Sequence, residues 1–120
     1  MISRNFCSPA FIALLLAAGQ ALAHPSVVAS TPNDGEAVLT APRNMRIVFN
    51  EPIESHFTSV KVVDSSGKVF GPGQTRTDSS DPKAIVVDLP ALASGAYKVQ
   101  WSAAGRDGHR IKGELTFSVK

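Results

Sequence analysis

The run Tyr97-Lys98-Val99-Gln100-Trp101, together with the closing run Leu115-Thr116-Phe117-Ser118-Val119, decides the fold of this chain. In both runs large apolar residues alternate with polar ones, which is the period of a β-strand with one buried face. Ser94-Gly95 comes just before the first run and is a turn signal. The alternation therefore predicts two strands near the carboxyl terminus, each with an apolar face turned toward a core.

Five further strand-like runs precede this pair in the sequence. They occupy residues 27–30, 46–49, 58–64, 69–70 and 84–89 and are separated by turn residues. Residues 77–83 are rich in Ser and Asp and are expected to form a loop, and no stretch has apolar residues at helical spacing for three turns. About seven short antiparallel strands predict an all-β, immunoglobulin-like Greek-key sandwich or barrel.

The first 23 residues have the pattern of an export signal that is cleaved. Arg4 supplies a short positive region, residues 11–18 supply an apolar core, and Ala21 and Ala23 are the small residues that a signal peptidase reads. The apolar run is shorter than the ~20 residues that span a membrane. We therefore expect a Sec-type signal peptide at 1–23 and an exported mature domain at 24–120 without a membrane span.

Composition excludes several classes of function for the mature domain. Cys7 is the single cysteine and would leave with the signal, so neither a disulfide nor a thiolate metal site is available. The 12 basic and 10 acidic residues of the full chain nearly balance, only Arg4 would leave with the signal, and no basic run suggests nucleic acid as a partner. The length allows one hydrophobic core, and a monomer is expected.

Cleavage after Ala23 would place His24 at the amino terminus of the mature chain. An α-amine loses its proton at lower pH than a lysine ammonium does, so a metal can displace that proton near neutral pH. The amine and the imidazole Nδ1 of one residue can then close a chelate ring. Because Pro25 has no backbone N–H, copper cannot bind a deprotonated amide at that position.

The loop before the last strand contains Asp107-Gly108-His109. In extended backbone, residues two apart point to the same side, so the carboxylate and the imidazole can face one point. With the amine and imidazole of His24 they form a nitrogen and oxygen ligand set that suits Cu(II). Each motif also has a plainer interpretation, because Asp-Gly is a turn signal and His24 could simply follow a cleavage site.

The mature chain resembles the CopC family of periplasmic copper-binding proteins along nearly its whole length. The likeness is carried by His24-Pro25, Ser30-Thr31-Pro32, Val48-Phe49-Asn50-Glu51, Gly95 to Trp101 and Asp107-Gly108-His109. This resemblance implies an immunoglobulin-like fold and one Cu(II) per chain, bound by His24, Asp107 and His109. It also implies Glu51 as an outer-shell or weak ligand, and a role in copper resistance or homeostasis with an inner-membrane transporter of the CopD type as partner.

Some family members add a methionine-rich loop that holds Cu(I) through thioethers. Residues 62–77, where such a loop would fall, contain no methionine, and Met45 adjoins a predicted strand where packing is its expected role. We therefore predict a site for Cu(II) and none for Cu(I).

Two other classes of function remain open from the sequence. An amino-terminal histidine also holds the metal of copper mono-oxygenases, although this chain is small for an extended substrate face and no enzymatic activity is predicted. A metal-free immunoglobulin-like interaction module is the third interpretation.

His56 is expected at the surface, with a role as a fourth copper ligand as the alternative, and Arg106 and Arg110 are expected to be solvated. Tyr97 and Trp101 are assigned to the core.

Overall fold

The structure, a computed structural model, describes residues 25–71 and 75–120. The predicted signal peptide and His24 lie outside these residues. Within them, the chain forms strands and one short 3-10 helix. The strands are β1 (Val27–Thr31), β2 (Glu36–Val38), β3 (Asn44–Phe49), β4 (Ser59–Asp64), β5 (Val69–Phe70), β6 (Thr75–Asp78), β7 (Asp81–Asp88), β8 (Gly95–Ala104) and β9 (Arg110–Val119), and the 3-10 helix η1 spans Ser55–Phe57.

Two sheets enclose a single core, as the strand pattern predicts. One has the order β1-β3-β7-β6 and the other the order β2-β9-β8-β4-β5. Strand pairs are antiparallel except for β2, which runs parallel to β9. The all-β sandwich is thus confirmed. No helix in the described parts of the chain is long and apolar enough to cross a membrane.

The alternation in β8 matches its burial. Tyr97, Val99 and Trp101 point into the core, while the polar residues between them are exposed. The ring of Tyr97 stacks on Phe117 at 5.5 Å, and Phe49 meets Trp101 edge-on at 5.2 Å, contacts that contribute about 0.5–1.5 kcal/mol each beyond buried area. The prediction that Tyr97 and Trp101 belong to the core is confirmed.

Two parts of the strand prediction are wrong. Residues 77–83 are not a loop, because β6 and β7 continue into this segment and leave a tight turn between them. Asp78 Oδ1 accepts hydrogen bonds from the Ser80 amide at 2.9 Å and the Ser80 hydroxyl at 2.8 Å, so the polar residues build the turn. The sequence also does not reveal β2, whose three residues are too few to show alternation and are held by parallel pairing with β9.

The β8–β9 hairpin brings the candidate ligands to one end of the sandwich. Its pairs run in unbroken register from Gly95 opposite Val119 to Ala104 opposite Arg110. Gly105 is bridged to Ile53, so the segment after β3 crosses the same end. The loop from residue 105 to 109 is thereby set beside the segment that carries Glu51.

Candidate metal centre

The hairpin loop is closed by its own backbone. The Gly108 amide donates to the Gly105 carbonyl at 3.0 Å, and the Gly105 amide donates to the His109 carbonyl at 3.2 Å. Gly108 has φ of +83°, a conformation that side chains disfavour, and a β-carbon there would meet no atom within 4 Å. Glycine therefore permits this turn and leaves the space beside Asp107 and His109 open.

Asp107 and His109 lie in direct contact, as their spacing predicts. Asp107 Oδ2 is 2.8 Å from His109 Nδ1, and Asp107 Oδ1 accepts from the His109 amide at 3.1 Å. The turn, rather than an extended strand, brings the two side chains together. When Nδ1 donates to the carboxylate, Nε2 carries the lone pair that a metal requires.

The same contacts set the charge of the carboxylate. The side-chain hydrogen bond with His109, followed by the bond from its amide, lowers the pKa of Asp107 below the usual value of 3.8. Both side chains are about half exposed, Asp107 at 50% and His109 at 55%. Asp107 is therefore an anionic oxygen donor at neutral pH, reachable from solvent and aligned with an imidazole.

Glu51 reaches the same loop from the segment after β3. A β-carbon at residue 105 would collide with Glu51 Oε1 and would lie 3.3 Å from Asp107 Oδ1. Gly105 is buried, and its missing side chain makes the room that the Glu51 carboxylate fills. Two carboxylates, from separate segments of the chain, thus converge on one glycine.

The beginning of the described chain is fixed near this loop. The Ser26 amide donates to Asn50 Oδ1 at 2.9 Å, and the Asn50 amide donates to the Ser26 carbonyl at 2.9 Å. Pro25 is fully buried. The residue that follows His24 in the sequence is therefore held next to the segment that carries Glu51.

The structure brings some of the predicted site residues together. Asp107 and His109 are in contact and Glu51 lies against their loop, whereas His24 falls outside the described residues. Within residues 25–71 and 75–120, no group of three or more His, Cys, Asp or Glu side chains is arranged to hold a metal ion.

The remaining candidate residues take the places expected of them. His56 is exposed in η1, Met45 is fully buried in the core, and Arg106 and Arg110 are exposed beside the hairpin loop. The prediction that Met45 serves in packing is confirmed.

Sequence reasoning missed two supporting residues, Asn50 and Gly105. A lone asparagine after a strand gives no sign that it will bond a segment 24 residues earlier. The sequence does show that Gly105 is a glycine shortly before the Asp107 turn. Its close approach to Glu51 appears only in the folded chain.

Comparison with known proteins agrees with this architecture. The CopC domain profile matches residues 27–120. The copper resistance protein C of Pseudomonas syringae pv. tomato is 35% identical over 127 residues, covering 100% of this chain and 99% of that protein. The copper transport protein CutJ of Bacillus subtilis is 32% identical over 98 residues, and the match spans 81% of this chain but only 18% of CutJ.

The solved structures include a similar β-sandwich. The crystal structure of PcoC, a methionine-rich copper resistance protein from Escherichia coli, superposes with a TM-score of 0.69 and 32% identity, covering 82% of this chain and 100% of PcoC. This chain has two methionines in total, Met1 and Met45, so it is not methionine-rich.

Proposed function

This chain belongs to the CopC family, and we propose on that premise that it is a periplasmic protein that binds one Cu(II) for copper resistance or homeostasis. The ligands are the amine and imidazole of His24, the carboxylate of Asp107 and the imidazole of His109. Glu51 serves as an outer-shell or weak ligand. This set of nitrogen and oxygen donors matches the tetragonal coordination that Cu(II) prefers.

The observation that carries the proposal is the convergence of three segments at one end of the sandwich. Asp107 contacts His109 at 2.8 Å, Glu51 lies against Gly105, and Ser26 is bonded to Asn50. The described residues supply two carboxylates and one imidazole but no complete ligand group. A histidine one residue before the buried Pro25 would supply the nitrogens that the group lacks.

The oxidation state follows from the donor atoms. Cu(I) favours soft thioether and thiolate ligands. The mature chain would hold no cysteine, and the side chain of Met45 is fully buried among core residues. Reduction of the bound metal should therefore weaken its binding, and the protein would carry or sequester copper as Cu(II) only.

We assign the protein a carrier role, without an enzymatic one. Asp107 would occupy a coordination position that oxygen chemistry needs open. The partner in copper transfer would be an inner-membrane copper transporter of the CopD type, to which the monomeric protein presents its exposed hairpin loop. The signal peptide has a direct consequence for this function, because His24 has no α-amine until cleavage occurs.

The decisive experiment compares two mature proteins that differ only in whether the α-amine of His24 is free. Protein beginning at His24 should take up one Cu(II), with a nitrogen-rich signal in electron paramagnetic resonance. Semisynthetic protein with an acetylated His24 amine keeps every side chain but loses the chelating amine, and its affinity should fall by about 100-fold or more, since even outer-shell changes cost 10–100-fold. Equal affinity in the two proteins would rule out the amino-terminal chelate.

A second measurement separates the carrier from an oxygenase. The copper-loaded protein is incubated with a polysaccharide, a reductant and peroxide or oxygen, and the products are analysed by mass spectrometry. We expect no oxidised oligosaccharide. Oxidative cleavage that disappears in His109→Ala would move the assignment to the copper mono-oxygenase class.

A further inference from the structure

The outer face of the β9-β8-β4 region is basic, because its exposed cations form no ion pair among the described residues. The strand register places its outward residues in rows across the sheet. In one row Lys112 lies beside Ser102. In the next row Gln100 lies between Lys61 and Glu114. Four exposed cations share this surface, which we call the basic face. They are Arg110 and Lys112 on β9, Lys98 on β8 and Lys61 on β4.

The cations of the basic face lack carboxylate partners within the described chain. None of the four takes part in any of the ion pairs found there. Glu114 is the one acidic residue in these rows, and its carboxylate accepts from Gln100 Nε2 at 3.2 Å. The face therefore retains a net positive charge directed at solvent.

On the opposite sheet, by contrast, two arginines form ion pairs with aspartates. On the β3-β7-β6 side, Arg46 pairs with Asp78 at 2.8 Å and approaches Asp81 at 3.7 Å, while Arg76 pairs with Asp88 at 2.9 Å. The cations of this sheet are thus more fully paired than those of the basic face, although Lys83 on β7 also forms no ion pair among the described residues. A charged solute approaching the molecule would be oriented toward the basic face.

From this asymmetry we infer that the basic face is a docking surface for an acidic protein partner. Its charge is complementary to carboxylates, and such complementarity steers encounter and fixes orientation. Arg110 directly follows His109 in the chain, so a partner seated on this face would lie beside the hairpin loop. That last point rests on the proposed function, because it makes the docked partner a giver or receiver of copper.

The shape of the face favours a protein over other polyanions. A groove of about 190 Å³ is lined by Ser59, Lys61, Ser102 and Lys112. A second depression of about 550 Å³ lies toward the far end, where its lining includes Lys98 and Val63 and also the acidic residue Asp64. A flat lipid surface would leave these hollows unfilled, whereas protein side chains can enter them.

Nucleic acid fits the face poorly. Single strands are bound on exposed aromatic platforms, and the aromatic residues of β8 are turned into the core. Trp101 is 8% exposed and Tyr97 is 5% exposed.

The test titrates a glutamate-rich peptide into metal-free mature protein and monitors the amide chemical shifts of the protein. We expect the largest shifts along β4, β8 and the first half of β9, with affinity that falls as salt is added. Lys61→Gln/Lys112→Gln should weaken binding by about tenfold. The matched control Arg43→Gln/Lys83→Gln removes the same charge elsewhere and should change binding by less than about twofold.

Peptide-induced shifts that spread over both sheets, or equal weakening in the two double variants, would overturn the inference. Tighter binding of the basic face to vesicles of phosphatidylglycerol and phosphatidylcholine, or to duplex DNA, than to the peptide at equal salt would overturn it as well. Because the protein is metal-free, loss of copper binding in His109→Ala leaves this experiment intact, so failure of the copper assignment and failure of the docking surface can be told apart.

Discussion

The carboxylate of Glu51 occupies the space where residue 105 would carry a β-carbon. A glycine on the β8–β9 loop is thus matched to an acidic residue that lies more than fifty positions earlier in the chain. The contact links the segment after β3 to the loop that holds Asp107 and His109, and it provides a way to test whether Glu51 takes part in copper binding.

Gly105→Ala should displace Glu51 at little cost to folding, since the colliding atom is the end of a flexible side chain. We expect Gly105→Ala and Glu51→Ala each to weaken Cu(II) binding by about three- to tenfold, as for other outer-shell groups. The double variant should be no weaker than Glu51→Ala alone, because both changes remove the same group. Isothermal titration provides the affinities. Additive losses would mean that Gly105→Ala acts on the hairpin by another route.

Substitution of the hairpin pair should affect copper binding much more than folding. Asp107→Ala and His109→Ala each remove a proposed ligand from a half-exposed position, so we expect Cu(II) affinity to fall by about 100-fold with urea midpoints nearly unchanged. His56→Ala is the matched control and should bind copper as the native protein does. A loss at His56 equal to that at His109 would make His56 a ligand, and unchanged affinity in both hairpin variants would exclude this site.

Gly113→Ala should destabilise the fold, because a β-carbon there would overlap the buried ring of Trp101. The added atom would collide with Trp101 Cζ2 and lie 2.6 Å from Cε2 and 3.0 Å from Nε1. A rigid ring in a packed core cannot move aside, so the free energy of unfolding should fall by about 1–3 kcal/mol in urea titrations.

Gly71→Ala is the control for Gly113→Ala. A β-carbon at residue 71 meets nothing within 4 Å, and its backbone does not need positive φ. Its unfolding free energy should change by about 0.5 kcal/mol or less. Equal losses at the two glycines would show that the clash with Trp101 does not decide the effect, because backbone entropy by itself favours alanine over glycine.

Acid should weaken the four-stranded sheet through Asp78. Hydrogen bonds from the Ser80 amide and from Arg46 lower the pKa of Asp78 from 3.8 to about 2 in the folded chain. Between these values the unfolded state binds more protons than the folded state, so the stabilisation present above pH 3.8 is lost as pH falls toward 2.

Asp78→Asn should therefore unfold with a shallower pH dependence than the native protein over this range. Urea midpoints measured at several pH values would show the difference. Ser80→Ala keeps the amide donor, whose bond has the largest effect on the pKa of Asp78, and should retain most of the native pH dependence. An unchanged slope in Asp78→Asn would assign the acid sensitivity to other groups.

The sequence by itself determined the features that depend on neighbouring residues. The alternation in β8 and β9 identified the buried faces, because a strand turns each successive side chain to the opposite side. The spacing of Asp107 and His109 predicted their contact, since two residues in one turn cannot be far apart. The scarcity of methionine is evident from the sequence alone. The amino-terminal chelate at His24 stays a prediction.

Only the tertiary structure decided the features that join distant segments. The parallel pairing of β2, the position of Glu51 against Gly105 and the bond between Ser26 and Asn50 have no local signature. The basic face is of the same kind, because the register of three strands brings together cations whose charges nearly cancel in the composition. Local periodicity determines which way a side chain points, whereas the partners it meets depend on which strands pack together.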